Sequence, residues 1–145
     1  MDFFNSIQTS SSGLSAQRLR MNLIAGNLAN VNTTRTRLGG PYRRKEAIFA
    51  AQTMNSTFNR ILTDRQKNQF SGVTVDRIYE DSTSPLMKYE PQHPHADDNG
   101  YVAMPNINPM EEMVNMISAT RGYEANITAL KAAKDMALKA LEIGR

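Results

Sequence analysis

Residues 108–144 read NPMEEMVNMISATRGYEANITALKAAKDMALKALEIG, and the spacing within this stretch decides the fold. Met110, Val114, Ile117, Tyr123, Ile127, Leu130, Ala137 and Leu141 keep helical spacing, which predicts a long helix with a narrow apolar stripe. Its start is specified chemically. Asn108 is an N-cap, Pro109 has no N–H to leave unpaired in the first turn, and Glu111 and Glu112 suit the positive end of the helix dipole. Lys131, Lys134 and Lys139 lie toward the negative end, and Gly144 is a plausible stop. At 1.5 Å per residue such a helix is about 50 Å long. A stripe that narrow on a helix that long requires a partner.

The other end of the chain supplies one. Phe4, Ile7, Ser11, Leu14, Arg18, Met21, Ala25 and Leu28 alternate steps of three and four, and Ile7, Leu14, Met21 and Leu28 are each seven apart. This predicts a helix from Phe3 to Val31, roughly 43 Å long. It is weakest at Thr9–Gly13, a run of poor helix formers, and is ended by Asn30, Asn32, Thr33 and Thr34, which compete for backbone hydrogen bonds. The two helices read as an antiparallel coiled coil closed by the middle of the chain. The expected class is mainly α with a small β region. Residues 1–38 form the N-terminal helix of an inner domain, 39–106 a β-rich middle, and 107–145 the C-terminal helix. The expected assembly seam is Ile7, Leu14, Met21 and Leu28 with Met110, Val114, Ile117, Tyr123, Ile127, Leu130 and Leu141. Stripes so narrow leave further faces for neighbouring chains.

The middle changes character at Gly39-Gly40-Pro41, which breaks any helix. Short strand-like runs follow at Ala47–Ala50, Val73–Val75 with Ile78-Tyr79, Leu86–Tyr89 and Tyr101–Met104. Asp98-Asn99-Gly100 is a hairpin-turn signal. Residues 54–70, rich in Asn, Gln, Thr and Arg, read as a mobile loop.

Composition narrows the function. The chain has 145 residues, 40% hydrophobic and 21% charged, with 9 Met, no Trp and no Cys, a mixture suited to helix seams rather than a thick aromatic core. Disulfides, thiolate metal sites and cysteine nucleophiles are excluded. No run approaches the roughly 18 apolar residues of a bilayer span. The opening Met1-Asp2-Phe3-Phe4 lacks a basic leader and an apolar core, so composition alone suggests a cytoplasmic protein. The net charge of +3 hides a split: residues 1–70 carry 10 Lys/Arg against 3 Asp/Glu, and residues 71–145 carry 7 against 11. Such halves can attract one another within a chain or between copies.

Catalytic chemistry is poorly supplied. His93 and His95 are the two histidines, in Gln92-His93-Pro94-His95-Ala96-Asp97-Asp98; the spacing pins no third metal ligand, and a structural turn is the better reading. No nucleophile elbow and no phosphate-cradling glycine loop occurs. No catalytic, cofactor-binding or metal residue is assigned. Tyr42-Arg43-Arg44-Lys45 is the densest basic cluster, and nucleic-acid binding is the rival reading it raises. The cluster is short and lacks a recognition helix or a stacking sheet. Arg43, Arg44 and Lys45, with Asp97 and Asp98, are better read as an inter-subunit charge patch.

The stretch Ser12–Thr34, SGLSAQRLRMNLIAGNLANVNTT, resembles the N-terminal signature of bacterial flagellar axial proteins, the family of rod, hook and hook-associated subunits. Glu112–Asn126, EMVNMISATRGYEAN, is similar to its C-terminal partner signature, departing mildly at Thr120-Arg121-Gly122. Gly40–Lys45 and Tyr89–Val102 resemble the short proximal-rod subunits, and the length disfavours hook-type members. The resemblance implies a structural, non-enzymatic rod subunit without cofactor, exported by the flagellar type III apparatus and working in the periplasmic basal body, which overturns the cytoplasmic reading. Its implied partners are copies of itself, other rod subunits, a rod-to-membrane-ring adaptor and the export apparatus, with no nucleic acid and no membrane insertion. The implied role is to transmit torque and enclose the export channel.

Overall fold

A computed structural model describes residues 3–53 and 71–143. The order is α1 (Phe3–Ala29), β1 (Lys45–Thr53), β2 (Ser71–Glu80), β3 (Leu86–Tyr89), β4 (Tyr101–Met104) and α2 (Pro109–Ile143). Among the described residues, two helices and two small antiparallel sheets give a mixed fold, helical with a small β region. The expected loop at 54–70 and the stop at Gly144 lie outside the described residues.

Helix α1 runs unbroken through Thr9–Gly13, where Ser12 Oγ donates to the Thr9 carbonyl at 2.7 Å. It ends two residues before the expected Val31. Asn30 Nδ2 turns back to the Gly26 carbonyl at 2.8 Å, and Thr33 Oγ1 donates to Asn30 Oδ1 at 3.1 Å, the side-chain competition that stops a helix. At the other end, the Met110 N–H donates to Asn108 Oδ1 at 3.1 Å and the Glu112 N–H to the Asn108 carbonyl, so Asn108 caps α2 as its residue type predicts.

The helices pack side by side in opposite directions. Gly13 lies against Asn126, Gln17 against Gly122, Met21 accepts from Thr120 Oγ1, and Asn27 meets Glu112, so numbers rise along α1 as they fall along α2. Two of these contacts place a glycine under an amide. A methyl on Gly13 would stand 3.1 Å from the Asn126 amide nitrogen, and one on Gly122 would stand 3.3 Å from that of Gln17. Small residues let the backbones approach closely, and the buried apolar side chains of the pair are correspondingly small: Ala16, Ala119 and Ala133, with Ile24 the exception. Among the described elements α2 packs on α1 alone, whereas α1 also carries β1 and β2.

Strands β1 and β2 pair antiparallel from Lys45 opposite Glu80 to Thr53 opposite Ser71. Ile48 faces Arg77 and Phe49 faces Val75, leaving Asp76 as the extra residue of a bulge. Lys45 Nζ closes the pair on Glu80 at 3.1 Å, and the Val73 N–H donates to Ser12 Oγ at 3.0 Å, tying the sheet to α1. Strands β3 and β4 form a second hairpin, with Tyr89 opposite Tyr101 and their rings edge to face at 5.3 Å.

Its turn is where the sequence signal placed it. Asp97 Oδ1 accepts from the Asn99 and Tyr101 N–H groups, and the Gly100 N–H donates to the Asp97 carbonyl at 2.9 Å. Gly100 sits at φ 81°, and a methyl there would stand 2.9 Å from the Tyr89 ring. Gly100→Ala is therefore expected to destabilise the chain by more than about 1 kcal/mol, read as a lower urea midpoint. An unchanged midpoint would contradict the turn geometry.

Candidate functional site

A buried polar cluster lies where α1, the start of β1 and the first turn of α2 meet. Asn27 and Glu112 are each 1% exposed. Asn27 Nδ2 donates to the Lys45 carbonyl at 3.0 Å and to Glu112 Oε2 at 2.9 Å; its Oδ1 accepts from the Lys45 N–H at 2.9 Å and the Tyr42 hydroxyl at 3.2 Å. Two donors and two acceptor positions exhaust what a side-chain amide offers, so Asn27 is fully satisfied. Glu112 Oε1 accepts from Arg44 Nε at 2.7 Å, and Arg44 also reaches Glu46 at 3.4 Å. A buried carboxylate is tolerable only when paired and hydrogen-bonded, and this one is both.

The charges respond to this setting. Burial alone would lower the Arg44 pKa, but the hydrogen bond and the charge of Glu112, with Glu46 and Glu111 behind it, outweigh burial and raise it. Burial pushes the Tyr42 phenol up, opposed by Lys45 and reinforced by Glu80 and Glu112, so it stays a hydroxyl donor to Asn27. The cluster pins three distant segments to one point, and the space it lines with Arg20, Leu23 and Asn115 amounts to about 20 Å³. It fixes the geometry of the ends.

Of the expected seam, Ile7, Leu14, Met21 and Leu28 are half-buried in the single chain, as are Tyr123, Ile127 and Leu130. Met110, Val114, Ile117 and Leu141 stand exposed, away from α1. Contacts across the pair include Gly13 with Asn126, Gln17 with Gly122, Asn27 with Glu112 and, from the expected seam, Met21 with Thr120. The larger side chains are thus left for surfaces that one chain does not cover. Met113, Met136 and Leu138 are exposed on the same helix.

The expected charge patch is divided. Arg44 turns inward to Glu112 and Lys45 pairs with Glu80, so neither is a free surface charge. Asp97 caps its own turn, while Arg43 and Asp98 remain exposed. His93 and His95 pack edge to face at 5.4 Å, and His95 Nδ1 lies 2.8 Å from Thr34 Oγ1, a bond that ties the second hairpin to the end of α1. Among the described residues no group of three or more His, Asp or Glu is placed to hold a metal, and no helix is long and apolar enough to cross a membrane.

Both ends of this architecture match known proteins. A family described as flagella basal body rod protein matches residues 7–35, and one described as the C-terminal part of flagellar basal body rod FlgEFG proteins matches residues 98–143. The flagellar basal-body rod protein FlgC of Borreliella burgdorferi is 46% identical, with 99% of this chain and 98% of the relative covered. FlgC of Bacillus subtilis is 43% identical and FlgC of Salmonella typhimurium 38%, each over the full length of both chains. The chain belongs to the FlgC family of flagellar basal-body rod proteins. It is a structural subunit of the flagellar rod, and its relatives are rod proteins rather than enzymes. The two matched spans contain α1 from Ile7 onward and all of β4 and α2, and with them Asn27 and Glu112 of the polar cluster.

That cluster is what sequence reasoning missed. Glu112 read as a dipole partner and Arg44 as a surface charge, while Asn27 had no assigned role. A signal existed: Glu112, Ala119, Asn126 and Ala133 are seven apart, a heptad row of small and polar residues beside the apolar one.

Proposed function

We propose that this FlgC-family chain stacks helically with copies of itself and with other rod subunits, its two terminal helices forming an antiparallel coiled coil on the inner wall of the rod and its β-bearing middle facing outward. The division into 1–38, 39–106 and 107–145 follows from this arrangement. The subunit would enclose the export channel and carry torque in the periplasmic part of the basal body, reached through type III export. The rod-to-membrane-ring adaptor and the export apparatus are its further partners. Ile7, Leu14, Met21 and Leu28, with Met110, Val114, Ile117, Tyr123, Ile127, Leu130 and Leu141, are the proposed seam between helices and neighbours.

The observation that supports this reading is the one-sidedness of α2. A helix of 35 residues packs on a single described element and leaves Met110, Val114, Ile117, Met136, Leu138 and Leu141 exposed. Exposed apolar surface on this scale marks an interaction site. Patches that differ from one another favour contacts that propagate rather than close. A cryo-EM map of isolated basal bodies tests it: the helix pair is expected at the channel wall with the hairpins outside. Helices on the outer surface of the rod would refute the arrangement.

A further inference from the structure

Residues 33–42, which connect α1 to β1, form a hydrogen-bonded loop with Leu38 at its tip. The Thr36 N–H donates to the Gly40 carbonyl at 2.8 Å, the Gly39 N–H to the Thr36 carbonyl at 3.1 Å, and the Tyr42 N–H to the Thr33 carbonyl at 3.0 Å. Gly39 and Gly40 lie at φ 87° and 74°, a conformation that side chains resist. An ordered turn thus presents Leu38 with 100% exposure, flanked by the exposed Arg35 and Arg37. A leucine held wholly in water on a built turn forgoes the burial that normally fixes such a residue.

A receptor of matching chemistry exists on the same chain. Between the residues that follow α1 and the second hairpin runs an open groove of about 340 Å³, lined by apolar residues that include Leu86, Met87, Met104 and Ile107 and by the polar Asn32 and Lys88. Leu86 and Met87 are more than half exposed on its wall, while Ile107 and Pro105 are buried. Charge separates the two sides. Residues 31–45 hold five basic residues and no acid, and residues 81–111 hold five acids and one lysine. That lysine, Lys88, is neutralised by Glu90 at 2.6 Å, whereas Arg35, Arg37, Asp98 and Glu111 make no ion pair among the described residues.

We propose that the Leu38 tip of one copy seats in the groove of the next copy, with Arg35 and Arg37 turned toward acids of the segment 81–111, which supplies the hairpin wall of the groove. Knob and groove are different patches of one chain, so the contact passes from copy to copy without closing. The inference rests on the reading that copies of this chain stack in the rod.

The absence of cysteine makes the test direct. In cells whose only copies are a mixture of Leu38→Cys and Met87→Cys chains, oxidised basal bodies are expected to contain a disulfide-linked dimer that neither variant forms alone. A disulfide needs Cα atoms within about 7 Å. A chain carrying both cysteines is expected to give a ladder. Linkage of position 38 to itself or to a different rod protein would overturn the proposal, as would no linkage with both variants present in the basal body. If cysteine at 38 keeps the chain out, Leu38→Met is expected to restore incorporation to within twofold of wild type and Leu38→Asp to lower it at least tenfold. Equal incorporation of those two variants would overturn it too. Absence of the wild-type chain from basal bodies would instead refute the rod reading.

Discussion

Replacing Arg44 by methionine is expected to cost the isolated chain about 3–5 kcal/mol, because it leaves a buried carboxylate without its counter-charge. Glu112 is 1% exposed and cannot recover that interaction from water, and Asn27 alone is a neutral partner. Against a typical domain stability of about 5–15 kcal/mol, the loss removes a large part of the whole. The pair itself need not be stabilising. The double variant Arg44→Met, Glu112→Leu is expected to recover most of the loss, since it removes the desolvated charge together with its partner. Urea unfolding followed by far-UV circular dichroism measures both. A single-variant loss below about 1 kcal/mol would mean that the Glu112 carboxylate does not depend on Arg44 in the folded chain, and the cluster would lose its role as the joint between α1, β1 and α2.

The elements of this fold were legible because each has a local chemical cause. Asn108 and Pro109 mark the start of α2, Asn30 and Thr33 the end of α1, and Asp98-Asn99-Gly100 the turn of the second hairpin, to which the structure adds Asp97 as the cap; all three involve residues within a few positions of one another. Strands β3 and β4 have the limits that the apolar runs suggested. What was not legible depends on contacts across 60 or more residues. Pattern reading ranks large apolar side chains as the core and gives no weight to glycines and amides. Within the chain Gly13 meets Asn126 and Gly122 meets Gln17 between the helices, while Val114 and Ile117 stand exposed. Arg44 looked like any other member of a basic run until the fold brought Glu112 to 2.7 Å. The flagellar signatures, by contrast, were readable as motifs, and they lie on the segments that the cluster fastens together.

The inverted distribution of large side chains carries the strongest prediction for the assembled state. Val114 and Ile117 are 64% and 57% exposed in the single chain, so Val114→Asp or Ile117→Asp removes little buried area and should shift its stability by no more than about 0.5 kcal/mol. In the rod each of these positions is proposed to lie against a neighbour. There the substitution forgoes about 1.5–3 kcal/mol of apolar burial and adds the several-kcal/mol cost of placing a carboxylate out of water. The penalty recurs at every subunit, and each 1.4 kcal/mol is a tenfold change in an association constant. Both variants are therefore expected to melt like wild type, yet leave cells without a rod and without motility. Ile117→Met, which preserves volume and apolarity, should swim. Leu28→Asp differs informatively: its half-buried side chain already contributes to the single chain, so both the melt and assembly should suffer. Normal swimming with Ile117→Asp at wild-type protein levels would take the α2 stripe out of the assembly interface and leave the family assignment untouched.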